Sequence, residues 1–335
     1  MSQQTLQGAG GVVTASTLAA INSNFSEIYG RQLGVGRVFY CDYANGNDNS
    51  GDGSAALPFQ TILQAFNSCT TGKNDTVVVI GDGGTTASQR RTSALTWDKN
   101  ATHCIGIAAP SLYGQRARIA PTTTATAYTP LVTLSGSGCL FSNIQFWHGF
   151  ATGTTSQIAI NITGSRNVFQ RCHIAGMGDD ASAQNSGSRC IKFTAGSENL
   201  FEDCVVGVDT VTRTAANANV EFASKATRNV FRNCHFPMYG TGGGALGVYA
   251  AASGSMDRLN YFENCVFGNA GAKSGGAAIT ALATFGAATG GAVLMRNCTL
   301  VGVTDFFTDA TTSGQMYIDG AAPTSNTSGL AVAPT

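Results

Sequence analysis

Six segments of the chain repeat one arrangement of apolar and polar positions: CLFSNIQF, NVFQRCHI, NLFEDCVV, NVFRNCHF, NYFENCVF and VLMRNCTL, spread over residues 139–300. Five of them align on Cys172, Cys204, Cys234, Cys265 and Cys298, which recur at intervals of 30 to 33 residues, and the first copy has Ile144 in the cysteine's place. Three residues earlier stands Phe141, Phe169, Phe201, Phe231, Phe262 or Met295. Two residues later stands Phe146, Ile174, Val206, Phe236, Phe267 or Leu300. Cysteine and cysteine+2 alternate as one face of a strand does, and the position between them varies as His173, Val205, His235, Val266 and Thr299.

A second short apolar run precedes each copy, at Ile158/Ile160, Ile191/Phe193, Val220/Phe222 and Leu246/Val248. Gly, Ser and Asn separate the two runs. Asn167, Asn199, Asn229 and Asn260 share one slot, which predicts a stacked asparagine ladder at a position tolerant of left-handed backbone. A period near 30 with short strands and no helical spacing is the mark of a solenoid, in which a coil buries its apolar face only against its neighbours. The expected fold is therefore all-β, a right-handed parallel β-helix solenoid. About seven or eight coils, each rising roughly 4.8 Å, would make a prism about 35–40 Å tall.

The expected organisation is an N-terminal arm with a short helix over 1–37, a leading strand, turn and capping helix over 38–75, the β-helix over 76–310 and a tail over 311–335. The capping helix is placed on PFQTILQAFNSC, with Pro58 at its first position and Phe59, Ile62, Leu63 and Phe66 covering the first coil. TVVVI at 76–80 then begins the strands.

The segment YCDYANGNDNSGDGSAALPFQTILQAF followed by VVVIGDG resembles the opening of pectin-lyase-like right-handed β-helix proteins. The likeness extends from residue 39 to about 307. It implies the fold; the superfamily mixes polysaccharide lyases, hydrolases, phage tailspikes and non-catalytic virion proteins, so it implies no single activity.

In the arm, Leu18, Ile21, Phe25 and Ile28 follow one another at spacings of three and four, an apolar seam between an N-cap at Thr14 or Ser16 and a stop at Gly30. A helix of about 15 residues is marginal alone in water, so this seam is expected to attach the chain to a partner. AINSNFSEIYG resembles N-terminal segments of tailed-phage fibre, spike and decoration proteins. That likeness implies a virion protein synthesised in the host bacterial cytoplasm. It also implies, together with the Ala, Gly, Ser and Thr-rich flanks, a homotrimer that contacts other virion proteins of capsid or tail.

Charge narrows the partners. Only 11% of residues are charged, against about 25% in ordinary soluble domains, and the net charge is zero. No cluster of Lys or Arg marks a surface for nucleic acid or an anionic membrane, and no apolar run approaches a membrane span. The N-terminal residues carry no secretory pattern, which weighs against a free-standing secreted lyase.

A sugar-cleaving reading requires two carboxylates, or a carboxylate with Arg or Lys, along one flank. The candidates are Asp179 and Asp180 after one repeat cysteine, and Asp209 and Arg213 after the next, on loops that stacking makes neighbours. The competing expectation is that they are solvated loop charges, as for Glu202 and Asp203 on the strand surface. Asp48 and Asp52 in NGNDNSGDG superficially resemble a calcium loop but lack its spacing, so a turn is expected. Cys172-His173 and Cys234-His235 point to opposite strand faces, which disfavours zinc, and the cysteines are expected to be reduced packing residues. Trp147, His148 and Phe150 are either a sugar-stacking patch or, as the favoured expectation, a loop folded over the flank or an intersubunit contact. The sequence thus favours a non-enzymatic phage structural protein without cofactor, with a tailspike that binds or cleaves host polysaccharide as the alternative.

Overall fold

Each turn of the chain is closed by two tight corners, and left-handed residues make them. The residue before Ile144 and before each repeat cysteine has positive φ: Asn143 at 55°, Arg171 at 51°, Asp203 at 53°, Asn233 and Asn264 at 54°, and Asn297 at 50°. A second set, Arg166, Glu198 and Arg228, has φ between 54° and 60° and lies just before the asparagines. The first corner turns the strand so that Phe and Cys, three residues apart, both point inward. The cysteine therefore sits at the corner, and only the residue after it begins the next strand. The left-handed role expected for Asn167, Asn199, Asn229 and Asn260 falls instead to the residue preceding each of the first three, and neither Asn260 nor Leu259 before it is left-handed.

The computed structural model describes residues 36–318 apart from 82–88, 109–112, 114–116, 123–126, 152–155, 242–243, 251, 274–276, 288 and 314. Leu18, Ile21, Phe25 and Ile28 lie outside the described residues. The chain is a right-handed parallel β-helix of three main sheets with ten, eight and seven described strands, beside a two-stranded pairing of Ile279–Ala281 with Val303–Asp305. The first sheet runs from Val38–Asp42 to Met316–Ile318, the second from Gln89–Arg91 to Thr299–Val301, and the third from Leu95–Trp97 to Ala283–Phe285. All pairings are parallel between equivalent positions of successive coils, as in Phe169 with Phe201 and Phe201 with Phe231.

Stacking of like on like fills the interior. Phe141, Phe169, Phe201, Phe231 and Phe262 lie in one buried column with ring centroids 4.6 to 4.8 Å apart. Phe236 and Phe267 stack in the second sheet and Phe193 and Phe222 in the third. The third sheet corrects the expected register by one inward position. Ile160 and Ile162 pair with Ile191 and Phe193, which leaves Ile158 against Arg189, and Val248 rather than Leu246 faces Val220.

The asparagines form the expected ladder. Asn199 Nδ2 donates to Asn229 Oδ1 at 2.9 Å and Asn229 Nδ2 to Asn260 Oδ1 at 3.0 Å. The same oxygens accept the backbone N–H of the preceding asparagine. The cysteines form a second ladder: Cys172, Cys204, Cys234 and Cys265 each donate a thiol to a phenylalanine carbonyl of the coil before at 3.4 Å. All ten cysteines are free. Burial pushes the Cys172, Cys204 and Cys234 thiols well above their ordinary range, so they stay protonated and available as donors.

The cap differs from expectation in its details. The helix is Ile62–Ser68, with Thr61 rather than Pro58 at its start and its hydroxyl accepting from Gln64 N–H. Asp48 accepts from the Gln60 and Thr61 N–H groups and the Thr61 hydroxyl, so the NGNDNSGDG turn serves as a brace for the helix start. Ile62, Ala65 and Phe66 are buried while Leu63 is exposed. The turn also closes the outer edge of Val38–Asp42, whose Tyr40 and Asp42 N–H groups donate to Gly53 and Phe59 carbonyls. Gly36 and Arg37, assigned to the arm, belong to this cap through bonds to Asn74, Ser68 and Asp75. At the other end the first sheet gains Met316–Ile318, beyond the expected limit at 310.

Two outcomes follow for the interior. Phe231→Ala should lower stability by about 3–5 kcal/mol, because it opens a void between two stacked rings; a thermal melt showing a loss under about 1 kcal/mol would contradict the inward column. Asn229→Ala should cost about 1–3 kcal/mol by stranding the Asn199 backbone N–H, while an unchanged melt would mean that the ladder contributes nothing.

Candidate functional site

Stacking does bring the two candidate loops together, with the candidate side chains committed elsewhere. Asp179 is the N-cap of the short helix Asp180–Ala183, accepting from Ala181 N–H at 3.0 Å, with Ser182 completing a capping box. Asp180 accepts from Gln184, which also reaches the Thr212 carbonyl and Thr214 in the next loop. Arg213 is turned into the solenoid and fully buried. Its guanidinium donates to Asn217 Oδ1 and Asn219 Oδ1 at 2.6 Å and to the Asn217 and Leu246 carbonyls at 2.9 Å. Burial lowers it to about 10, so it remains a cation at neutral pH, held by neutral oxygens and clamping neighbouring coils. Asp209 is exposed. Asp179, Asp180 and Arg213 thus have structural partners of their own, and no ion pair joins Arg213 to Asp179, Asp180 or Asp209.

Outward polar residues build two clusters that the repeat analysis missed, because it followed only inward positions. On the second sheet, Arg118 donates to Gln145, Gln145 Nε2 lies 2.9 Å from His173 Nδ1, and His173 Nε2 lies 2.9 Å from the Gly207 carbonyl. Because a carbonyl oxygen only accepts, Nε2 carries the proton that meets it, and Nδ1 accepts from the Gln145 amide, so the imidazole is neutral. Arg118 also lies over Trp147, its guanidinium carbon 5.5 Å from the ring centre. His148 is buried against Tyr128 and Phe150 as a flank-covering group, and among the described residues neither ring nitrogen makes a hydrogen bond of good geometry.

On the third sheet a groove of about 560 Å³ is lined by Arg189, Leu246, Tyr249, Thr280, Thr284 and Thr308, among others. Arg189 Nε pairs with Glu221 at 2.8 Å, and Lys192 reaches the same oxygen at 3.5 Å. The Arg189 guanidinium carbon lies 4.9 Å from the Tyr249 ring centre. The signal was present in the sequence, since Lys192, Glu221 and Tyr249 are one period apart and share an outward column. No carboxylate stands among the groove's lining residues, and the adjacent Glu221 is bound to two cations, so the two-carboxylate geometry of glycoside hydrolysis is not assembled there. What the groove offers is one aromatic ring, a cation and threonine hydroxyls. Among the described residues no three His, Cys, Asp or Glu side chains group as metal ligands, and no helix is long and apolar enough to cross a membrane.

The two buried histidines make stability depend on pH. Burial pushes His148 and His173 down to about 4, opposed in part by the Tyr128 and Gly207 backbone. An unfolded histidine takes up its proton near 6.5, so between about 6.5 and 4 the unfolded chain binds protons that the folded chain refuses. Stability should therefore fall with pH across that window, by on the order of 2–3 kcal/mol per histidine at pH 4. His148→Phe should flatten part of the fall; denaturation profiles from pH 7 to 4 that are level in the parent chain would contradict the assignment.

No family model matches the sequence, and no curated protein matches it. Solved structures do. A pectate lyase aligns over 85% of this chain and 74% of its own with a TM-score of 0.53 at 15% identity. A rhamnogalacturonan lyase aligns over 79% and 68% with a TM-score of 0.51 at 15% identity. A protein of Geobacillus virus E2 aligns over 90% of this chain and 54% of its own, with a TM-score of 0.52 at 14% identity. At such low identity the likeness concerns architecture, and what this chain has in common with all three is the right-handed parallel β-helix.

Proposed function

We propose that this protein is a structural component of a tailed-phage virion, a β-helix spike or head-decoration protein held to the particle by its N-terminal arm. The observation that carries the reading is the closure of the cap. Residues 36–69 cover the first coil and its strand edge with their own backbone bonds and the buried Ile62, Ala65 and Phe66. The solenoid thus has no structural need of the apolar seam at Leu18, Ile21, Phe25 and Ile28, which is left to bind a partner. The commitment of Asp179, Asp180 and Arg213 to capping and clamping supports a non-enzymatic role, and the fold likeness to a viral protein agrees with the setting. The alternative, a tailspike that binds host polysaccharide, draws on the third-sheet groove, where Tyr249 offers a ring face and Arg189 a cation.

A chain starting at Gly36 should fold, give an all-β circular dichroism spectrum and stay soluble, yet fail to enter particles. Ile21→Ser with Phe25→Ser at full length should do the same; wild-type copy number of the shortened chain on virions would refute attachment through the arm. Asp179→Asn combined with Asp209→Asn should leave biological activity unchanged. In a glycan-degradation assay, cleavage by the parent chain that the two substitutions abolish would replace the structural reading with the enzymatic one.

A further inference from the structure

The outward face of the first sheet has an order of its own. Leu140, Val168, Leu200, Val230, Tyr261, Leu294 and Tyr317 are paired neighbours in successive strands and form one half-buried apolar stripe along the solenoid. A ladder of alternating charge runs on each side. On one side Arg166 meets Glu198 at 2.9 Å and Glu198 meets Arg228 at 3.2 Å. On the other, Gln170 donates to Glu202, Glu202 pairs with Arg232 at 3.8 Å, Arg232 with Glu263 at 3.1 Å and Glu263 with Arg296 at 4.0 Å. The arginines keep 44% to 74% of their side-chain surface exposed, so they are free to meet a second set of carboxylates.

We propose that this face binds a second copy of the chain with the two solenoid axes antiparallel, on a two-fold axis passing between strands Leu200–Glu202 and Val230–Arg232. The charge order selects that arrangement. A two-fold relation along the strand direction lays each ladder on its own copy upside down. Glu198 then faces Arg228, Glu202 faces Arg232, and the stripe pairs Leu200 with Val230, Val168 with Tyr261 and Leu140 with Leu294. A parallel neighbour at equal height, in a two-fold or a threefold assembly, instead lays one ladder on the other and opposes Glu198 to Glu202 and Arg228 to Arg232. Moving the antiparallel axis by half a coil, onto Val230–Arg232, sets Glu202 against Glu263. The trimer expected from the sequence would therefore have to use another face.

Six overlapping strands at about 4.8 Å and a width of about 20 Å give roughly 600 Å² per copy, or about 1,200 Å² in all. That is at the lower end of specific interfaces, which suits a dimer that forms at micromolar concentration. The inference is independent of the virion reading.

Sedimentation equilibrium of the full chain should show a monomer–dimer equilibrium weakened by salt. Arg232→Glu should weaken it at least tenfold, since it sets Glu202 against a carboxylate. Adding Glu202→Arg should restore association, because the pair across the interface is only exchanged. Thermal stability should not return in parallel, because position 232 still faces Glu263 within the chain, and this separates the interface from a purely structural ladder. To fix the geometry, chains carrying Leu140→Cys or Leu294→Cys, which lie five strands apart and face each other only across the proposed axis, each with Cys298→Ser, are treated with a short bismaleimide. Cross-linking should be strong in the mixture and weak in either alone. A monomer at about 100 μM, preferential linking of Leu140→Cys to itself, or a full chain that stays monomeric while the chain from Gly36 dimerises would each overturn the proposal, the last by assigning the stripe to the chain's own arm.

Discussion

Everything in this protein depends on one constraint: a coil of three short strands has no core of its own and buries its apolar side chains only against the same positions one turn away. A strand of three residues such as Val168–Gln170 has too few contacts to hold alone. In-register stacking solves this, and it demands that every coil turn at the same points. The left-handed corners before the cysteines and before the asparagines meet that demand, and the asparagine ladder ties one corner to the next through side-chain and backbone bonds. The phenylalanine column is the consequence. Its rings lie nearly coplanar in direction, with interplanar angles of 5° to 12°, because identical side chains in identical backbone settings adopt the same rotamer.

The same constraint explains where the polar residues go. Each long loop between the second and third sheets has to be tied to its neighbours, and Asp179, Gln184, Asn217, Asn219 and Arg213 are used for that purpose. A side chain that looks like a catalytic candidate in the sequence is thus consumed by architecture. The outward columns obey the repeat as strictly as the inward ones, and there like residues cannot simply stack if they are charged. Alternation of Glu and Arg up a ladder is the solution at the first sheet, and Lys192, Glu221 and Tyr249 form a mixed column at the third.

The inward columns of the first two sheets were legible in the sequence because Phe, Cys and the residue two beyond recur in six copies at one spacing. The third sheet was legible only to within a register, since Ile158, Ile160 and Ile162 lie on one strand face and a slip of two residues leaves an equally apolar inward pair. What chooses is the pairing with the next coil, which sets Ile160 and Ile162 on Ile191 and Phe193 and leaves Ile158 against Arg189. Pro58 misled because a proline suits a first helical turn, whereas Asp48, distant in sequence, fixes the start at Thr61. The third-sheet groove, Arg213's burial and the His173 relay were out of reach for the same reason: each joins residues one coil apart on outward or loop positions, where the repeat carries no apolar signal.

Amide hydrogen exchange on the full-length protein tests the stacking account most directly. The N–H groups of Asn167, Asn199 and Asn229 and of the flanking strands should be the slowest and should open together, in one cooperative event across the coils. The loops at 176–188 and 207–217 should exchange sooner. If the asparagine amides instead exchanged as fast as those loops, or coil by coil at unrelated rates, in-register stacking would not be what holds the solenoid together.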